Sequence, residues 1–171
     1  MASPSPLIAL AVKLDATEAQ VRFALLAKRF EDYTPVLKSN VLTTLRKMEA
    51  LQFDTEGAIF GHDWPALSPN TIRDRAQKGF PSGPIMVRTT RLRKSLTQRS
   101  GDAIVQVEKF ALVFGTHVPY ADFHQHTKGP GKGIVPERQL IPNPLPEAVI
   151  QEVFQNIRDY LIEGRIRSAT S

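Results

Sequence analysis

The sequence predicts an α+β fold: two or three longer helices packed with a small, mostly antiparallel sheet, and long Gly/Pro-rich loop arms. Three observations lead there. Apolar residues recur at helical spacing near both ends of the 171-residue chain, two β-branched runs stand side by side in its middle, and glycine and proline concentrate in two connections. The length suits one domain with a core of its own. That domain is expected to span 1–171, with a flexible lead over 1–6, arms over about 57–88 and 119–139, and a flexible tail over 165–171.

The elements follow in chain order. Leu7 to Leu14 reads either as a short edge strand or as docked coil. Asp15 and Glu18 have the spacing of a capping box, and Val21, Leu25 and Leu26 follow at helical intervals, which predicts a helix over about 16–31. Thr34-Pro35 offers an N-cap followed by the residue type that favours the first helical position. Leu37, Val41, Leu45 and Met48 then form one stripe, with Lys38, Arg46 and Lys47 off it, so a second helix should reach Phe53 or Glu56 and stop before Gly57.

From Gly57 to Pro84 the composition turns to Gly, Pro, Asp, Ser and Lys, interrupted by a short helix over 69–78 that Ser68 and Pro69 would begin. So long a connection normally has a task, typically binding. A further short helix is expected over 89–97. Residues 103–108 and 111–116 read as a hairpin turning at Lys109-Phe110. A second Gly/Pro loop covers 127–136. The last helix should start at Leu145 or Pro146 and end at Glu163, with Val149, Val153, Phe154, Ile157 and Leu161 on one face and Gly164 as its stop.

The net charge of +5 is not spread evenly. Residues 73–99 carry eight basic side chains (Arg73, Arg75, Lys78, Arg88, Arg91, Arg93, Lys94, Arg99) against Asp74 alone, whereas the flanks 1–72 and 100–171 each hold seven basic and eight acidic groups. A patch of this kind suits nucleic-acid phosphates, an acidic protein partner, or simply a solvated face. The chain has no cysteine, which removes disulfides, thiolate metal sites and a cysteine nucleophile. No basic residue precedes the short apolar run Leu7 to Val12, so it does not read as a secretion signal, and no run approaches the ~18–20 apolar residues of a membrane span. A soluble protein without membrane contact is expected.

Catalytic and cofactor chemistry find little footing. His124 and His126, with Asp122 and His117, could share one side of a strand as a metal site, but their spacing matches no zinc pattern and on a helix the two rings diverge. Gly129 to Gly133 pairs glycines with Lys132 but lacks the Lys-Ser/Thr and the helix that a phosphate loop needs. Serines 68, 95 and 100 have no nucleophile-elbow context, and no acid pair has a telling separation. No metal, no cofactor and no enzymatic activity are therefore expected. Trp64, the sole tryptophan, either pins the first arm to the body or anchors an interface. Arg138 either clamps the second loop through an ion pair or meets a neighbouring subunit.

Four blocks stand in a fixed order: Trp64-Pro65-Ala66-Leu67-Ser68-Pro69-Asn70-Thr71, Leu92-Arg93-Lys94-Ser95-Leu96, Tyr120-Ala121-Asp122-Phe123-His124-Gln125, and Pro136-Glu137-Arg138-Gln139-Leu140. Together, over roughly residues 36 to 145, they resemble the Mu-type phage virion morphogenesis family, whose members complete the tail at the neck of tailed phages. Two departures stand out. The family usually has a glycine just before the Leu-x-x-Ser unit, where this chain has Thr90 two places ahead of Leu92, and a positive φ there would strain a threonine. Leu140 replaces the usual aromatic of the last block.

The resemblance implies a structural virion protein acting in tail completion and head–tail joining, with other neck and tail proteins as partners and a homo-hexameric ring in the particle. It further implies that Tyr120, His124 and Gln125 hold the nearby loop. A tail-terminator ring is the alternative, and a DNA-binding module using 73–99 a more distant one. Interface or loop-anchoring candidates are Trp64, Leu67, Arg73, Arg75, Arg88, Arg91, Arg93, Lys94, Tyr120, His124, Gln125 and Arg138.

Overall fold

The computed structural model describes residues 16–126 and 136–166. The apolar run Leu7 to Leu14, the Asp15 half of the capping box, most of the second Gly/Pro loop and the last residues of the tail lie outside these. Seven helices and two strands are seen among the described residues, an α+β fold dominated by helix.

Helix α1 spans Thr17–Glu31 with Ala16 at its N-cap, and Glu18 pairs with Arg22 one turn on. The helix forms as the periodicity predicts, yet none of its side chains is buried, so Val21, Leu25 and Leu26 are not a core face. The second helix begins at Thr34, but Tyr33 occupies the N-cap and the capping acceptor is Asp32 Oδ1, which receives the Thr34 N–H at 2.8 Å. An aspartate two residues upstream satisfies one free helix N–H without help from Thr34 itself. This helix is continuous in three parts: α2 (Thr34–Val36), a π-helical turn Leu37–Val41, and α3 (Leu42–Asp54). Ser39 Oγ donates to Pro35 O at 2.7 Å inside the widened turn.

The first arm is more ordered than its composition suggests. A 3-10 turn, Ala58–Phe60, folds it back, and Gly57 (φ 89°) is required there, since a Cβ would stand 2.1 Å from His62 O. Helix α4 (Pro69–Gln77) follows, with Ser68 Oγ accepting the Thr71 N–H at 3.2 Å as an N-cap should. Helix α5 (Arg91–Thr97) is entered through Thr90 at φ 60°, so the residue standing near the family's glycine does adopt the left-handed region.

Strands β1 (Ala103–Val107) and β2 (Leu112–Thr116) pair antiparallel in the register Ala103↔Thr116 to Val107↔Leu112, each one residue shorter than predicted at the turn. The hairpin tip docks on the second helix: Tyr33 N–H donates to Lys109 O at 2.9 Å, and the Tyr33 and Phe110 rings meet at 5.6 Å. A short helix that the composition did not announce, α6 (Ala121–Gln125), opens the second arm. Helix α7 (Glu147–Glu163) ends at Gly164, φ 70°, as predicted.

Two apolar clusters form the interior. One gathers Val36, Leu37, Val41 and Tyr160 with half-buried Val153, Ile157 and Leu161, joining the second helix to α7. Phe154, predicted on this face, is 62% exposed. The buried side of α7 runs through Val149, Asn156 and Tyr160, and one residue is about 100° of helix, enough to turn Phe154 outward. The other cluster holds Phe53 of α3 and Leu92 and Leu96 of α5 together with Trp64, Ile85 and Val87 from the first arm and Val118, Ala121 and Leu140 from the second. Both arms thus build core instead of hanging from it.

Candidate functional site

The two arms meet around a cleft of about 820 Å³. Of the twelve candidates named from the sequence, Leu67, Arg75, Arg88, Tyr120, His124 and Arg138 line it. The other six lie elsewhere, and two of them support the walls.

Arg138 is buried, and its guanidinium forks onto the first arm: Nε and Nη2 donate to Pro65 O at 3.0 and 2.7 Å, and Nη2 also reaches Ala66 O at 3.3 Å. The sequence leaves Arg138 as either an ion-pair clamp on the second loop or a contact to a neighbouring subunit; among the described residues it instead grips main-chain carbonyls of the first arm. Planar five-donor geometry makes arginine suited to such a fork. Arg75 of α4 is likewise buried and donates from Nη1 to Pro84 O at 3.1 Å. Burial, then the neighbouring Arg88, holds the Arg75 guanidinium below its usual range; burial, then Arg75, does the same for Arg138. Arg88 is exposed and lies over the Phe80 ring at 4.4 Å.

His124 projects from α6 toward the same space. Its Nδ1 is buried without a hydrogen-bond partner, and burial followed by Arg138 keeps the imidazole below the ordinary histidine range. Its main-chain carbonyl accepts the Arg138 N–H at 2.7 Å. Tyr120 sits half-open at the rim. The single carboxylate among the described lining residues is Asp74, held below the usual range chiefly by a hydrogen bond from Lys78, with Arg88 3.8 Å away. Leu67, Phe80 and Met86 supply apolar surface between these charges. The cleft therefore sets the guanidinium groups of Arg75, Arg88 and Arg138 around an apolar patch.

Trp64 and Gln125 do not line the cleft; they hold its frame. Trp64 is buried edge-on against Phe53 at 5.3 Å, and its Nε1 donates to Gln139 O at 3.0 Å. In this chain it pins the arm. Gln125 bridges both ways: Nε2 donates to Ile141 O at 2.8 Å, and Oε1 accepts the N–H groups of Leu140 at 2.8 Å and Ile141 at 3.1 Å.

The basic segment is less of a free patch than its sequence implies. Arg91 makes a bidentate pair with Asp102 at 2.8 and 2.7 Å, and Arg93 meets Asp54 at 2.6 Å. Lys78 and Arg88 share Asp74, and Arg75 is buried. Arg73, hydrogen-bonded to Asn70, and Lys94 are exposed on α4 and α5, away from the cleft lining. Asp54 comes from 39 residues upstream of Arg93 and Asp102 from 11 residues downstream of Arg91, both outside the segment, which charge counting along the chain cannot see.

His126 lies 3.6 Å from Asp122 across one helical turn, and no group of three metal-ligating side chains exists among the described residues. No described helix is long and apolar enough to cross a membrane. Sequence reasoning missed Phe80, Met86 and Glu56, whose Oε1 accepts the Ile85 N–H at 2.8 Å. No periodic signal marks them, because irregular chain carries them to the site.

No curated protein and no solved structure matches the chain. The model of the phage virion morphogenesis family matches residues 14–163, a span that includes both arms, the cleft and all four sequence blocks. The chain belongs to the phage virion morphogenesis family, and its role is that of a structural protein in building the phage particle.

Proposed function

We propose that the chain acts in tail completion, joining the finished tail to the head at the neck as a homo-hexameric ring, and that the cleft between its arms receives an acidic segment of a neighbouring neck or tail protein. The observation that carries this reading is the cleft itself: Arg75, Arg88 and Arg138 converge on one space, with Asp74 the one carboxylate among the described lining residues. Preformed walls suit docking, since clamped arms need not be ordered at the moment of contact. The part played is mechanical, with no catalytic step assigned.

A protein partner is favoured over packaged DNA by the pairing of Arg91 and Arg93, outside the cleft, with carboxylates. Phosphate binding scales with cations available to displace counterions, and these are already engaged. Duplex binding by the purified protein that falls steeply with salt and is abolished by charge reversal at Arg73 and Lys94 would overturn that preference.

Electron micrographs of particles made without this protein test the whole reading. Headless tails beside filled heads are expected. Overlong tails would assign it to length termination instead, and intact infectious virions would end the proposal.

A further inference from the structure

Arg75 and Arg138 each keep only 5% of their surface exposed, and both line the cleft between the arms. Arginine holds its proton in proteins, so burial does not neutralise either group. A buried charge is costly unless a counter-charge or a full set of hydrogen bonds accompanies it. Among the described residues neither guanidinium is paired with a carboxylate. Arg75 donates from Nη1 to Pro84 O, and Arg138 from Nε and Nη2 to Pro65 O and Ala66 O. That leaves Nε and Nη2 of Arg75 and Nη1 of Arg138 without a partner among the described residues.

Like charges also face one another here. Arg75 lies close enough to Arg138 to lower its proton affinity, and Arg88 does the same to Arg75. Asp74 does not supply the counter-charge to the buried pair, because it is paired with Lys78 and, at 3.8 Å, with Arg88. Beyond the described residues the only acidic side chain is Asp15. Two buried guanidinium groups therefore converge on one space with no anion of this chain between them.

We propose that this space seats a single carboxylate, carried on an aspartate or glutamate side chain of the partner protein, which bridges Arg75 and Arg138 while an adjoining apolar residue packs on Leu67 and Met86. Arginine forks hold a carboxylate by charge-assisted hydrogen bonds, shorter and stronger than neutral ones. Arg75 belongs to the first arm and Arg138 to the second, so the bridging carboxylate ties the arms together and offsets the repulsion between them. A side chain is favoured over a duplex phosphate because so little of either arginine is exposed: a carboxylate on a slender tether enters where a broad, stiff backbone stops. Exposed Arg88 adds attraction at longer range. The proposal rests on the cleft being the receptor of an acidic partner, and it narrows that reading to two residues and one ligand group.

Titration of the full chain, followed through the arginine Nε–H signals in nuclear magnetic resonance, tests it. The probes are an acetylated, amidated tripeptide of leucine, glutamate and phenylalanine, the same peptide with glutamine for glutamate, and inorganic phosphate, all at one ionic strength. The glutamate peptide should move the Arg75 and Arg138 signals together and saturably, and the glutamine peptide should bind about tenfold more weakly or worse. Arg75→Gln should weaken the glutamate peptide by a similar factor. Equal binding of the two peptides by the wild-type chain, movement of one arginine without the other, or shifts confined to Arg73 and Lys94 would overturn the proposal, and none of these needs a variant that folds. Tighter binding of phosphate than of the glutamate peptide would overturn it too, by giving the seat to a phosphate group. The seat and the role at the neck can fail separately. A chain that binds the peptide but whose loss leaves virions intact keeps the seat and loses the role; headless tails with a chain blind to the peptide do the reverse.

Discussion

Glu49 sits on α3 with none of its surface exposed, and neither carboxylate oxygen has a hydrogen-bond partner. Burial pushes its carboxyl well above the usual range around 4.5, because an unpaired charge in the interior costs more than taking up a proton. The sign of the linkage follows. Below pH 4.5 both folded and unfolded chains hold the proton and the residue contributes no pH dependence. Above it the unfolded chain releases the proton while the folded chain keeps it, so stability falls by about 1.4 kcal/mol per pH unit until the folded-state carboxyl itself titrates. Glu49→Gln keeps the shape and the buried polar atoms but removes the proton uptake. Urea unfolding followed by Trp64 emission, run in steps from acid to mildly basic pH, should show the two proteins close at pH 4 and the variant gaining steadily above pH 4.5. A constant offset between the two curves, or a variant that loses stability as pH rises, would refute a neutral Glu49.

Three further outcomes are expected. Thr90→Gly should stabilise by about 1 kcal/mol, because the φ of 60° costs a threonine that much and its side chain makes no cap; a melting-temperature rise of roughly 2–4 °C measures it. Gly57→Ala forces a Cβ to within 2.1 Å of His62 O at φ 89° and should cost about 3 kcal/mol or more, with Trp64 emission shifting to the red in urea titrations at lower denaturant. Arg138→Met should leave Pro65 O and Ala66 O without their donor and cost on the order of 3 kcal/mol. Hydrogen exchange should then rise over 62–68 before it rises elsewhere, and Arg138→Lys should restore little, since a single ammonium cannot reproduce the fork.

Regular elements were legible because their signals are local. The stripe Leu37, Val41, Leu45 and Met48 and the Ser68-Pro69 start state their helix in neighbouring residues, and the structure places helices there. What could not be read depends on contacts between distant parts of the chain. Val21, Leu25 and Phe154 carry helical periodicity yet face outward, since periodicity says that a face is apolar and not what it meets. The positive charge of 73–99 was visible as composition, whereas its pairing with Asp54 and Asp102 required the fold. Half of the candidate residues converge on the cleft. Phe80 and Met86 were not among the candidates because irregular backbone brings them to the cleft, and irregular backbone has no period to detect.

The order of the four blocks has a physical reason in the short run from Arg138 to Ile141. Gln139 O accepts from both Gln52 Nε2 at 2.8 Å and Trp64 Nε1 at 3.0 Å, tying α3 and the first arm to one carbonyl. Arg138 reaches back to Pro65 and Ala66, Gln125 grips the Leu140 and Ile141 main chain, and the Leu140 side chain shares a cluster with Leu92 and Leu96. Ser95 in turn bonds Thr116 at 2.7 Å, fixing α5 to the hairpin that leads into α6. Each block thus contributes to one junction, and none can shift without leaving buried donors or carbonyls of another unpaired. The same junction sets the spacing of the cleft walls, because Arg138 and His124 enter the cleft from residues whose main chains are bonded to each other. The shape of the cleft is consequently bound to the stability of the core, so substitutions at Trp64, Gln125 or Gln52 should weaken capture of the proposed acidic partner although none of them lines the cleft.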